Sequence, residues 1–181
     1  MTSPPHPLDS DIRTDQETDD AGLYGGSGSE GGARFNREPA GSARAVRRAR
    51  REEANRIGEL TLLAYAADGF ISPDDDYAAE LTDADGRLAE AEVWVATVAG
   101  EVRGTVTFCP PGSPYRELAR EREGEFRMLA IAPGARGMGL ARALVQRCLD
   151  RCTELGLDEV VLCSMAEMGV AHRLYESMGF V

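Results

Sequence analysis

Between Glu125 and Cys163 the chain reads strand, glycine-rich loop, helix, strand, and that order admits few folds. The stretch E-F-R-M-L-A-I-A (125–132) is rich in apolar residues and stops at Pro133. From 139 to 155, Leu140, Leu144, Val145, Cys148, Leu149, Cys152 and Leu155 draw one stripe at helical spacing, and Gly156 is a natural stop. V-V-L-C (160–163) then forms a short, almost wholly apolar run, the pattern of a strand buried on both faces. A strand, a crossover helix and a second strand make a βαβ unit, whose strands run parallel.

Upstream, the pattern is different. Residues 43–49 suit a first strand, and Ile57, Leu60, Ala64 and Ala67 repeat at helical spacing over 52–68. A second, shorter helix is expected over 74–84. V-W-V-A-T-V-A (93–99) and V-R-G-T-V-T-F (102–108) flank Gly100-Glu101 as the arms of a hairpin. Antiparallel pairs followed by a parallel unit give a mixed α/β sheet. Met168 to Met178 reads as a last helix.

Residues 1–40 are Pro-, Gly-, Ser- and Asp-rich, and over 1–35 seven acidic side chains face two Arg. Such a segment buries too little apolar surface to offset the entropy of ordering it, so an acidic flexible tail is expected there. The folded domain is expected over 41–181. G-F-V at the end reads as the start of another strand, so the domain is expected to lack its final strands.

The formal charge of -11 opposes a surface built to neutralise nucleic-acid phosphates, so no nucleic-acid partner is expected. All 20 basic residues are Arg, which excludes chemistry that needs a Schiff-base or phosphate-loop Lys. With two His and no CxxC, the four Cys read as buried or half-buried free thiols and no metal site is expected. No apolar run approaches a membrane span and the acidic N-terminus is unlike a signal peptide, so no membrane partner and a cytoplasmic location are the expectations.

The loop A-R-G-M-G-L-A (135–141) opens the helix of the βαβ unit. A helix N-terminus offers free backbone N–H groups and the positive end of its dipole. Gly137 and Gly139 remove side chains that would hold a ligand away from those amides, and Arg136 adds a cation at the rim. The residues 136–141 therefore suit a phosphate or pyrophosphate. A tight turn that merely needs glycine is the other reading. The G-x-x-x-x-G-K-[ST] and G-x-G-x-x-G patterns are both absent here.

The run R-G-M-G-L-A (136–141) resembles the Q/R-x-x-G-x-G/A motif of the GCN5-related N-acetyltransferase (GNAT) superfamily. The run A-H-R-L-Y-E-S-M-G-F (171–180) resembles that family's later A-x-x-L-Y-x-x-x-G-F pattern. The resemblance covers about 43 to 181 and implies an α/β fold whose splayed parallel strands hold acetyl-CoA as acyl donor. It implies that Leu129, Ala130 and Ile131 pair with the pantetheine arm, and that Arg136, Gly137, Met138, Gly139, Leu140 and Ala141 take the pyrophosphate. The implied reaction is direct acetyl transfer to a primary amine of a small molecule or peptide in a ternary complex. A catalytically weak acyl-CoA sensor is the alternative, and a homodimer is among the states the resemblance allows.

Within that pattern Tyr175 is the general acid that protonates the departing thiolate; without the pattern it reads as a core aromatic. Glu125 is the first candidate base, against a second reading as a strand-end carboxylate paired to Arg127 or facing solvent; a water chain, Glu92, Glu101 and Asp74 to Asp76 are the alternatives. Strand alternation places Glu125, Arg127, Leu129 and Ile131 on one face. His172 reads as a surface or packing residue. Tyr65, Phe70 and Tyr77 fall where the family shapes acceptor specificity. Met168 stands where many relatives have an Asn that bonds the pantetheine arm.

Overall fold

The computed structural model describes residues 10–13, 43–72 and 76–181. In chain order its elements are β1 (Ser10–Arg13), β2 (Arg44–Arg48), α1 (Ala54–Ala67), α2 (Asp76–Thr82), α3 (Ala84–Glu90), β3 (Glu92–Val98), β4 (Glu101–Cys109), β5 (Glu123–Ile131), α4 (Leu140–Glu154), β6 (Glu159–Ser164) and α5 (Gly169–Glu176). Among the described residues the strands form one sheet in the order β1-β6-β5-β4-β3-β2. Every pair is antiparallel except β5 with β6.

The two halves of the sheet arise differently. β3 and β4 are a hairpin whose turn is Ala99-Gly100, both at positive φ, rather than Gly100-Glu101 as the sequence suggests. β5 and β6 belong to the βαβ unit, and α4 carries the chain between them. Leu140, Leu144, Val145, Cys148 and Cys152 bury their side of α4 as the stripe predicts, while Leu155 stays exposed. Helix α1 packs on β4 and β5 from the opposite face. Its Ile57, Leu60, Thr61 and Ala64 are buried. Gly58 lets it lie against the end of α2, since a Cβ there would sit 2.3 Å from the Thr82 carbonyl oxygen. Burying a side chain such as Ile57 or Leu144 contributes about 1.5–3 kcal/mol each.

The single helix expected over 74–84 is instead two. Asp83 separates α2 from α3, and its carboxylate accepts the Gly86 N–H at 3.0 Å as the N-cap of α3. All four cysteines are free thiols, three buried and Cys163 half-buried.

The acidic tail expected over 1–40 lies outside the described residues, apart from Ser10–Arg13. Those four residues form a strand rather than a tail. β1 pairs with β6 from Ser10↔Ser164 to Arg13↔Val161. On its other side Arg13 exchanges both backbone bonds with Val181, at 3.1 and 2.8 Å. The Arg13 guanidinium meets Glu123 at 2.5 Å and Glu159 at 3.7 Å, and Ile12 packs on the core.

Candidate active site

β5 and β6 pair only from Glu123↔Glu159 to Glu125↔Val161. Beyond that point both strands continue, β5 to Ile131 and β6 to Ser164, with no further ladder between them, so they splay. The 136–141 loop follows the separated end of β5 through a short turn at Pro133–Ala135.

That loop has the geometry of an anion cradle. Gly137 and Gly139 hold φ of 76° and 77°, which a side chain would strain, and an added Cβ at either would point into open space. Gly139 is the N-cap of α4. No side chain caps that helix end, and no acidic residue occupies its first turn. The N-terminal amides and the positive end of a 15-residue helix therefore face outward. Arg44 on β2 braces the loop by donating to the Met138 carbonyl at 2.8 Å. Arg136 turns aside from the cradle. Its guanidinium grips Asp68, after the end of α1, and donates to the Ala64 carbonyl. These residues fit a phosphorylated group through bare amides and small residues at a helix N-terminus.

β5 does not alternate along its length as the sequence suggests. Thr107 pairs with Arg127 and Thr105 with Ala130, so two residues of β5, Met128 and Leu129, oppose Val106 alone. This bulge is made by Met128 at φ 54°, a conformation that costs a non-glycine residue roughly 1–3 kcal/mol. After the bulge the faces swap. Arg127 and Ala130 share the α1 side, while Ile131 turns toward Leu144 of α4. Ile131 thus parts company with Glu125 and Arg127, contrary to the simple alternation. The bulge re-aims backbone groups where the strands separate.

A cleft opens beside the bulge, lined by Tyr65, Tyr77, Arg127, Met128, Ser164 and Met168 together with Ile71, Cys163 and Met165. Tyr65 and Tyr77 are the aromatic pair the sequence points to on the acceptor side; Phe70 does not line it. Burial pushes both phenols above their ordinary pKa, and the neighbouring Arg127 opposes this. Ser164 at the end of β6 bonds His172 Nε2 at 3.1 Å and approaches the Met168 sulfur at 3.6 Å. The residue expected to be an ordinary packing His therefore sits one bond from the cleft wall. Arg127 and the Met128 bulge were missed as site features, because neither Arg nor Met carries a local signal for such a role.

The two side chains singled out for proton transfer lie on opposite faces of β5. Tyr175, on α5, is 5% exposed and packs edge-on against Phe126 and beside Phe180, with centroids 5.8 Å from each. Burial raises its pKa, and Cys148 adds to the rise, so the phenol keeps its proton. It lies close enough to Tyr65 to influence that hydroxyl, across the sheet from α5. Glu125 is 1% exposed, and its Oε2 accepts the N–H groups of Glu117, Leu118 and Ala119 at 2.9, 2.9 and 3.1 Å. It pins the loop before β5 and does not line the cleft. Its Oε2 is thus shared by three loop donors, while its Oε1 is buried without a hydrogen-bond partner among the described residues.

The model of the Acetyltransferase (GNAT) family matches residues 54–180. The chain belongs to this family. The match runs from the start of α1 to Phe180 and includes both motifs. A mycothiol acetyltransferase from Beutenbergia cavernae is 33% identical over 123 residues, which is 67% of this chain and 41% of that protein. N-acetyltransferase 8 from Mus musculus is 38% identical over 87 residues, 48% of this chain and 37% of its own. The chain thus spans less than half the length of these two curated relatives. A predicted acetyltransferase from Clostridium acetobutylicum, solved with acetyl-CoA, has the same fold, with a TM-score of 0.60 at 20% identity over 77% of this chain and 90% of that one. Among the described residues no helix is long and apolar enough to cross a membrane.

Proposed function

We propose that this GNAT chain transfers an acetyl group from acetyl-CoA to a primary amine of a small molecule or peptide, directly and within a ternary complex. The observation that carries the reading is the uncapped N-terminus of α4 behind Gly137 and Gly139, set at the mouth of the β5/β6 splay. When bound, acetyl-CoA supplies an acyl group activated as a thioester, with a thiol as its leaving group.

The remaining work belongs to the chain. The amides of 137–141 hold the phosphates, and backbone groups of Leu129, Ala130 and Ile131 orient the donor's arm along the separated edge of β5. Tyr175 holds a proton at its phenol oxygen, which its apolar surroundings keep in place until a stronger base forms nearby. Glu125 is assigned to holding 117–119 rather than to proton transfer. Tyr65 and Tyr77 shape the side from which the amine enters. The deeply placed thiols take no part: burial pushes Cys109 up to about 12, far from a thiolate nucleophile at neutral pH.

Thiol release from acetyl-CoA, followed across polyamines, aminoglycosides, amino acids and peptide N-termini, tests this. Amine-dependent release with intersecting double-reciprocal plots is the expected result. Parallel plots would point to a covalent acyl-enzyme. Tight CoA binding without release for any amine would support a sensor instead.

A further inference from the structure

Among the described residues that line the cleft, Arg127 alone carries a full charge. Its side chain is 10% exposed and is fixed from three directions. The guanidinium donates to the Tyr115 carbonyl at 3.3 Å, meets Glu117 at 2.8 Å and meets Glu80 at 3.4 Å. Those carboxylates come from separate elements, the loop after β4 and α2, and their side chains are 48% and 40% exposed. The cation is thus the rigid member of the group, and the anions are its solvent-facing members.

Behind the same wall lies a second guanidinium. Arg87 is fully buried, and its three hydrogen bonds go to neutral groups: the Asp83 and Leu81 carbonyls and the Thr107 hydroxyl. Thr107 is the ladder partner of Arg127, so the two cations back the same patch of β4 and β5. Among the described residues no carboxylate forms an ion pair with Arg87, although Asp83 lies near enough to offset part of its charge, and its field adds to that of Arg127 in a site of reduced dielectric. An anion in the cleft would meet a planar donor fork already held in place. It would take over from a carboxylate that can return to water at small cost.

We propose that Arg127 anchors a carboxylate of the acceptor, so that the amines acetylated here are amino-acid-like molecules rather than polyamines or simple alkylamines. This deepens the acetyl-transfer reading and rests on it. The bulge at Met128 follows Arg127 directly, so an anchored carboxylate sets its neighbouring amine beside the point where β5 and β6 separate.

The test compares, on the full chain, L-amino acids with their carboxamides and with the amines left by removing the carboxylate. The free carboxylate should raise kcat/KM about 10- to 100-fold, the scale set by a charge-assisted hydrogen bond. Arg127→Lys and Arg127→Gln should collapse that ratio toward one. Equal or better use of the carboxamide by the unaltered protein overturns the proposal, whether or not the variants fold. Calorimetric binding of N-acetyl amino acids and of their amides to the CoA-saturated protein gives a second readout. Carboxylate-dependent binding without any transfer would leave the anchor standing while refuting acetyl transfer. Binding that ignores the carboxylate would remove the anchor.

Discussion

Arg136 grips Asp68 with both terminal nitrogens, at 2.8 and 2.9 Å, and so ties the rim of the phosphate cradle to the end of α1. The pair is substantially exposed on both sides, so it contributes at most about 1 kcal/mol and yields readily to another anion. A phosphate arriving at the loop competes with Asp68 for this guanidinium. Asp68→Asn should therefore tighten CoA binding roughly two- to fivefold at low ionic strength, the scale of an exposed pair, and the gain should fade in high salt. Calorimetric titration at two salt concentrations measures it. An unchanged affinity at low salt would confine Arg136 to bracing α1.

Tyr175→Phe removes one oxygen from a tightly packed aromatic cluster and little volume. Turnover should fall about 10- to 1000-fold, while acetyl-CoA affinity stays nearly constant. Stopped-flow thiol release paired with equilibrium binding separates the two effects. Full turnover in the variant would return Tyr175 to the role of a core aromatic.

Glu125→Ala should act on stability. Losing the acceptor shared by three backbone donors is expected to cost about 2–4 kcal/mol, read as a lower urea midpoint. A general base would give the opposite pattern, a missing acidic limb in the pH–rate profile at an unchanged midpoint.

Glu53 sets an acid limit on the folded state. Its hydrogen bond to Arg47, helped by the Arg50 N–H, holds its pKa down to about 2, below its ordinary 4.5. A carboxylate with a depressed folded pKa stabilises the fold above its unfolded value, and that stabilisation is lost as pH falls from about 4.5 toward about 2. Glu53→Gln should flatten the stability curve in that window and leave it parallel to the parent above it. Denaturant titrations at several pH values would show this, and identical acid slopes would refute it.

The parts of this molecule that the sequence discloses are those governed by local rules. The stripe from Leu140 to Cys152 and the glycines at 137 and 139 place α4 and its uncapped end, because periodicity and freedom at positive φ are properties of a few neighbouring residues. The α2/α3 break was hidden, because 74–84 reads as one helix and the capping bond from Gly86 N–H to Asp83 is a feature of the folded loop. The bulge was hidden too, since methionine is an ordinary β-strand residue and its φ of 54° is imposed by register with β4. That single twist reverses the face of Ile131. The donors that Glu125 accepts from were hidden for a related reason: alternation gives its face on the strand, but residues 117–119 lie in a loop whose course no periodicity reveals.

β1 has a consequence for how this protein is made. Arg13 must meet Glu123, 110 positions further along the chain, and its backbone must meet Val181. On the ribosome this strand emerges early but has nowhere to dock until β6 and Val181 have been synthesised. Closing so long a loop is slow and comes late. The edge of β6, whose Cys163 and Ser164 border the cleft, therefore stays uncovered through most of the synthesis of this sheet.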